Sequence, residues 1–337
     1  MPAFRMKRRL VFTGLTAALA LGRAFAAEDA RYLVAIANID ETPGKRIEGL
    51  GFTGAEVRRS FELAARTLPL NLMYYDNAGD ANRALENTND AIRRKVDLLI
   101  MYNAEVSANP EIARLTKAAG IPLLAVNFSV GDAPIYSADH RAAGRIAGRA
   151  LGAFAKQTWP DETPLAALIG DIGDPAEATA LRVTGITEGL HQELPGIPLT
   201  PLDTGGQPLR AESVTAKFLT AQPRRKLLIA SLDDPTALSA RTGAEFVRRL
   251  QDCVIVSQGL DHSIHGGASE KKEIDPANRA SIVLGSVAYF LDRYGYEVLP
   301  LALRMLKGDA VPARTVTQHI LVGSANVFRE YPPTDMN

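Results

Sequence analysis

The feature that most constrains this chain is an alternation of short apolar runs with amphipathic ones, played through twice. Tyr32–Ile39, Leu70–Tyr75, Val96–Tyr102 and Leu123–Val126 read as strands, with helical stretches at Phe52–Leu68, Ala81–Arg94 and Ile112–Ala119 between them. The first of these helices sets Val57, Phe61, Ala64 and Leu68 on one face, as a helix lying on a sheet requires. Arg141–Gln157, rich in Ala and Gly and suited to close packing on a sheet, and a loop with Trp159 and Pro160 close the set. The pattern restarts with strands at Leu165–Ile169, Leu199–Leu202, Leu227–Ser231 and Val254–Ser257, separated by helices at Pro175–Leu194, Leu209–Ala221 and Thr236–Leu250. Ser281–Leu284 reads as strand-like, Val287–Lys307 as helical and Val316–Leu321 as a closing strand. Runs that are apolar throughout suit parallel strands covered on both faces, and a helix between successive strands is the crossover that parallel pairing needs. The class expected is α/β, with two doubly wound parallel-sheet lobes.

Composition narrows the partners. The 337 residues carry 38 basic and 38 acidic side chains, a balance that argues against a nucleic-acid or anionic-membrane partner. At 46% apolar, a chain of this length fills two cores. The single cysteine, Cys253, has no partner for an internal disulfide and lies in an apolar run, as a buried structural thiol would. At the N-terminus, Arg5, Lys7, Arg8 and Arg9 precede an apolar run, Leu10 to Leu21, and Ala24-Phe25-Ala26 follows. Charged, apolar and small-residue regions in that order describe a secretory signal peptide over residues 1–26, with a mature chain starting near Ala27 outside the cytoplasm. Arg8-Arg9 hints at twin-arginine export, although the residues after the pair fit that signal poorly.

Two constellations suggest chemistry. Gly49-Leu-Gly51-Phe-Thr-Gly54 is a literal G-x-G-x-x-G opening a helix, with Asp76 after the next strand. Glu41–Glu48 separates it from the preceding strand, whereas a pyrophosphate turn needs its glycines to follow the strand directly. The run therefore reads as a loop that closes over a cleft, and a nicotinamide cofactor as the alternative. His262 and His265, beside Asp261, have metal-ligand spacing without a third ligand that can be named, and read as a polar turn. No G-x-S-x-G elbow and no P-loop is present. What recurs is polar chemistry at strand ends: Asn38 and Asp40, Asn103 and Glu105, Asn127 and Phe128, then Asp171, Asp174, Asp233, Asp234 and Asp261. Such side chains at the carboxyl ends of parallel strands describe a ligand crevice, with amides, carboxylates and an aromatic face suited to a sugar ring. Each taken singly also fits a helix cap or turn.

Several segments in order carry a resemblance. They are Asp97-Leu-Leu-Ile, Ala119-Gly-Ile-Pro-Leu-Leu, Ser137-Ala-Asp-His-Arg-Ala-Ala-Gly, Arg182-Val-Thr-Gly, Ser231-Leu-Asp-Asp-Pro, Ser257-Gln-Gly-Leu-Asp261 and Gly285-Ser-Val-Ala-Tyr-Phe. Over residues 32–326 the chain resembles the periplasmic sugar-binding proteins of ABC importers, the ribose- and galactose-binding class of type I periplasmic binding proteins, which share their fold with lactose-repressor-type regulators. The resemblance implies two lobes joined by a three-strand hinge, with crossings near Asp139, Ala280–Gly285 and Arg314–Thr317. It divides the chain into an N-terminal lobe, 27–138 plus 285–314, and a C-terminal lobe, 139–284 plus 315–330. It implies that Arg182 and Asp261 bind sugar hydroxyls, that Asp233 replaces a ligand-binding Asn, and that Asp139 lies at the crossing near the ligand. There are departures: Glu41-Thr-Pro-Gly-Lys stands where an aromatic-rich segment is usual, with Phe52 only later; Ala104 stands where an Asp is usual, and Asn127-Phe128 where Asp-Arg is. The ligand expected is thus a sugar or polyol other than ribose or galactose, bound by Asn38, Asp40, Phe52, Asn103, Glu105, Asn127, Phe128, Asp139, Arg182, Asp233 and Asp261. The protein is expected to be a monomeric, non-enzymatic binding protein without metal or cofactor, serving a membrane ABC permease. Presentation of the ligand to a chemoreceptor or sensor kinase, and an exported NAD(P)-dependent sugar oxidoreductase, are the alternatives.

Overall fold

The computed structural model describes residues 31–266 and 273–332, so the signal-peptide reading of residues 1–26 lies outside the described residues. The chain builds two six-stranded sheets. In the first, β1 (Tyr32–Asn38), β2 (Leu70–Asp76), β3 (Leu98–Met101), β4 (Leu123–Val126) and β5 (Ile135–Ser137) are joined through α1 (Gly54–Ala64), α2 (Ala81–Arg93) and α3 (Asn109–Ala119). After α4 (His140–Thr158) the second sheet comes next, with β6 (Leu165–Gly170), α5 (Glu177–Glu193), β7 (Leu199–Asp203), α6 (Arg210–Ala221), β8 (Leu227–Ser231), α7 (Asp234–Phe246), β9 (Cys253–Gly259), the short α8 (His262–His265) and β10 (Val283–Ala288). The chain then returns to the first lobe through α9 (Tyr294–Leu306) and β11 (Arg314–Val316), and ends in the second with β12 (Leu321–Val322) and α10 (Val327–Glu330).

The two sheets share one topology. Their orders are β11-β5-β4-β3-β1-β2 and β12-β10-β9-β8-β6-β7, every pairing parallel except β10 with β12. The α/β class and the two parallel-sheet lobes are as expected. β1 and β6 are the switch points, each flanked by strands whose connections leave in opposite directions, which opens a crevice at the carboxyl ends. The central strands are buried along their whole length, which is why they read as unbroken apolar runs. Asp80, Asp139 and Asp233 cap helices by accepting from a backbone N–H one turn on, and Thr53 with Glu56 forms a capping box that starts α1.

Two stretches differ from their sequence reading. Val316–Leu321, expected as one strand, is split between β11 and β12, on different sheets, by a crossing at 317–320. The helix expected from Val287 starts only at Tyr294, because Val287 and Ala288 continue β10, where the Ala288 N–H donates to Ile320 (2.8 Å). The crossing expected at Ala280–Gly285 therefore comes after β10, at 289–293. The three crossings meet at His319: its Nε2 accepts from the Asp139 N–H (3.0 Å) and its Nδ1 sits 2.8 Å from the Ala288 carbonyl. That pairing fixes the neutral tautomer with its proton on Nδ1.

The Ala- and Gly-rich helix α4 packs on α5 as well as on the second sheet. Gly144 and Gly148 lie against the carbonyls of Arg182 and Ile186, and Gly185 and Gly189 against those of Arg141 and Arg145. A Cβ at any of the four would overlap the facing backbone, so the seam admits no side chain. This close approach fixes α5, and with it Arg182, against the crossing at Asp139.

Candidate functional site

The carboxyl ends of both sheets face one cleft, and a turn of the chain itself lies in it. Residues 46–53 fold back on themselves: Arg46 and Thr53 bridge, the Ile47 N–H donates to Phe52 (2.9 Å), and the Leu50 N–H donates to Ile47 (3.0 Å). Glu48 and Gly49 at its tip adopt positive φ angles of 54° and 62°. The turn touches both lobes. On the first, Glu48 Oε1 accepts from Tyr102 Oη (2.5 Å) and Asn127 Nδ2 (2.6 Å), with the Tyr294 hydroxyl 3.2 Å from the same amide. On the second, Arg182 donates to the carbonyls of Glu48 and Gly49 (both 3.3 Å), while Gly51 lies against the Asp261 carboxylate so closely that a Cβ there would overlap it. Leu50, Ile47 and Phe52 are buried beneath.

Burial raises the Glu48 carboxyl pKa, with the donors Tyr102 and Asn127 and the Arg182 charge opposing the shift. Tyr102 and Tyr294 are pushed well above the usual phenol range by burial and then by the Glu48 charge. Arg182 is 1% exposed, donates further to Thr179 Oγ1 (3.0 Å) and the Leu232 carbonyl (3.3 Å), and makes no ion pair among the described residues. Its Nε and Asp261 Oδ2 have no hydrogen-bond partner among the described residues. Behind Asp261, the buried Asp234 accepts from Ser257 (2.5 Å), Ser286 (2.6 Å) and the Asp261 N–H (2.7 Å), which holds the Asp261 backbone in place. Burial and then the Asp261 charge raise the Asp234 pKa well above the carboxylate range.

On the second-lobe side of the turn is a cavity of about 650 Å³, a size typical of small-molecule sites. It opens at the ends of β6, β7 and β8, between Asp171, Thr204, Asp233 and Arg182, with Arg46 and Leu50 of the turn as its near wall. The turn thus separates this cavity from the Tyr102 and Asn127 wall of the first lobe.

The residues expected at the site divide into two groups. Asn127, Arg182, Asp233 and Asp261 face the cleft or its cavity. Phe128 stacks on Tyr102 with ring centroids 6.2 Å apart and supports that wall. Asp139 caps α4 through the Ala142 N–H (2.9 Å) and sits at the crossing. The remainder point elsewhere. Asn38 is turned onto Glu41 (3.0 Å) and the Gly54 carbonyl (2.9 Å), Asp40 onto Lys45 (2.5 Å) and the Thr42 N–H (2.9 Å). Asn103 ties its own loop to Asn109 (2.9 Å), Glu105 is exposed, and Phe52 is core. Glu48, Tyr102 and Tyr294 are the cleft residues that strand-end reasoning missed. The three glycines of the G-x-G-x-x-G run were the signal: a Cβ at Gly51 or Gly54 would overlap Asp261 or the Asp40 carbonyl, and Gly49, with φ of 62°, comes close to Arg182.

A family model described as periplasmic binding protein domain matches residues 52–309. No curated protein matches the chain. Among solved structures, the chain is similar to AraP, an arabinose-binding protein from Geobacillus stearothermophilus, at 16% identity and a TM-score of 0.67 over 90% of this chain and all (100%) of that one. A protein of Mycobacterium smegmatis in complex with β-D-fucofuranose is similar at 20% identity and a TM-score of 0.66, covering 89% and 94% of the two chains. An ABC transporter solute-binding protein from Bacillus halodurans with bound myo-inositol is similar at 17% and a TM-score of 0.61, covering 91% and 100%. At these identities the likeness is one of fold.

Proposed function

This chain belongs to the periplasmic binding protein domain family, and from that premise we propose that it captures a small polyhydroxylated ligand, a sugar, polyol or derivative, and delivers it to a membrane ABC permease. The observation that carries the reading is the convergence, at the carboxyl ends of two sheets of the same topology, of hydrogen-bonding side chains from both lobes: Tyr102 and Asn127 from one, Arg182 and Asp261 from the other. Arginine grips vicinal oxygens through its fork, and a carboxylate oxygen accepts from hydroxyls, so the set suits a ring bearing several hydroxyls. The sugar and inositol ligands named for its structural neighbours agree with that chemistry.

Closure would turn on the three crossings at 138–139, 289–293 and 317–320, which divide the two moving units. A ligand held by both lobes favours the closed form because only that form makes both sets of contacts. No bond in the ligand is made or broken. The chain would be exported through its N-terminal signal, residues 1–26, and would act as a monomer in the periplasm. Thermal shift of the purified mature protein against a panel of sugars, polyols and their acids tests this. A panel member should raise the melting temperature by several degrees at millimolar concentration. If none does while NAD(P)H does, the reading is wrong and the oxidoreductase alternative stands.

A further inference from the structure

The cleft is filled by this chain's own carboxyl group, and what holds that group describes what should replace it. Four donors meet the turn 46–53: Tyr102 Oη, Asn127 Nδ2 and two nitrogens of Arg182. Two of them converge on one oxygen of Glu48, at 2.5 and 2.6 Å, a pair of donors set for a carboxyl oxygen. Across from it, Arg182 is a buried cation that bonds to carbonyls and a hydroxyl and to no carboxylate among the described residues. A buried charge without a bonded counter-charge is costly, and a ligand anion would remove that cost. The turn is also an imperfect occupant, since it leaves Asp261 Oδ2 and Arg182 Nε unpaired. Gly44, just before the turn, has φ of 74° with nothing within 4 Å of a Cβ, and Glu48 and Gly49 at its tip also have positive φ.

We infer that the turn is an internal stand-in for the ligand, and that the ligand is a polyhydroxylated carboxylate, a sugar acid, which displaces it. Resting on the binding-protein reading, this adds the ligand class and the residue that competes with it. The ligand carboxylate takes the place of the Glu48 carboxyl before Tyr102 and Asn127 and within reach of Arg182. Its hydroxyls meet Asp261 Oδ2 and the wall of the adjoining cavity, which becomes continuous with the first-lobe wall once the turn withdraws.

Calorimetric titration of the full mature chain with D-gluconate and D-galacturonate, against D-glucose and D-galactose, reads the ligand class. The acids should bind at least tenfold more tightly than the neutral parents. Glu48→Ala, which removes the carboxyl from before Tyr102 and Asn127, should bind the acids about tenfold more tightly than the wild type. Amide hydrogen exchange of residues 46–52 should speed up when an acid is bound. Neutral sugars binding as tightly as acids, unchanged acid affinity in Glu48→Ala, or slower exchange of the turn on binding would each overturn the stand-in while leaving the binding-protein reading intact. If neither acids nor neutral sugars bind, both fall.

Discussion

Glu48 and Arg182 show how two side chains set the electrostatics of the cleft. Arg182 serves the turn now and the ligand by proposal, so Arg182→Ala should weaken every ligand of the panel by about a hundredfold, the equivalent of roughly 3 kcal/mol lost with a buried, hydrogen-bonded charge. Calorimetry reads it; a selective loss for one ligand would contradict the assignment. Glu48 gives a dependence on pH. Burial raises its folded pKa above the usual 4.5, so the docked turn is favoured at low pH and loses that advantage as pH climbs from 4.5 through the folded value. The charged and titratable groups facing it are Tyr102, Tyr294 and Arg182, and neither phenol titrates in that range. Thermal melts between pH 4 and 7 should therefore show Glu48→Gln gaining on the wild type as pH rises; parallel curves would refute it. At this scale the sequence was half legible. Asn127, Asp233 and Asp261 face the crevice, because a polar residue ending a buried strand must point into it or cap the next helix, and Arg182 reaches it from within α5. Asn38 and Asn103 have the same signature and satisfy their own loops instead. Which way an amide turns depends on backbone groups brought near by the fold, and no spacing in the chain encodes that. Glu48 acts from a loop ten residues past its strand, so only the glycines beside it marked the place.

Between elements, the deciding contact is the glycine seam of α4 and α5. Gly144 and Gly148, and Gly185 and Gly189, are i,i+4 pairs, each laid on the other helix's carbonyls. Gly185→Ala should destabilise the protein by about 1–3 kcal/mol, the usual cost of overpacking, and because Arg182 is one turn away on α5 it should also weaken ligand binding. Equilibrium denaturation alongside calorimetry checks both; a destabilised protein with wild-type affinity would separate the seam from the site. The seam was partly legible: the small residues announced close packing, and the expected partner was a sheet, whereas a helix with matching glycines shares that role. The strands were legible because burial on both faces leaves an unmistakable apolar run. The split of Val316–Leu321 was not, since a single apolar run gives no sign that its two ends belong to different sheets.

Taken whole, the molecule is two copies of one topology held by three crossings, and His319 ties those crossings at a single imidazole. Burial depresses its pKa, so the folded ring keeps its neutral form and bonds below the usual 6.5, while the stability they give is fully present above 6.5 and lost as pH falls through the folded pKa. Protonation would place a hydrogen against the Asp139 N–H. His319→Ala should lower the melting temperature at pH 7.5 and have less effect at pH 5, measured by calorimetric scans; an equal loss at both would rule out this role. The return of the chain to both sheets has a further consequence. β11 completes the edge of the first sheet and α9 covers α1, yet both are made after five of the six strands of the second sheet, β6 to β10, have been spelled out, and β12 closes that sheet later still. Neither lobe can finish folding alone from a nascent chain, since each waits for residues near position 320. A chain emerging from the ribosome therefore lacks an edge strand of each sheet until nearly its last segment has been made.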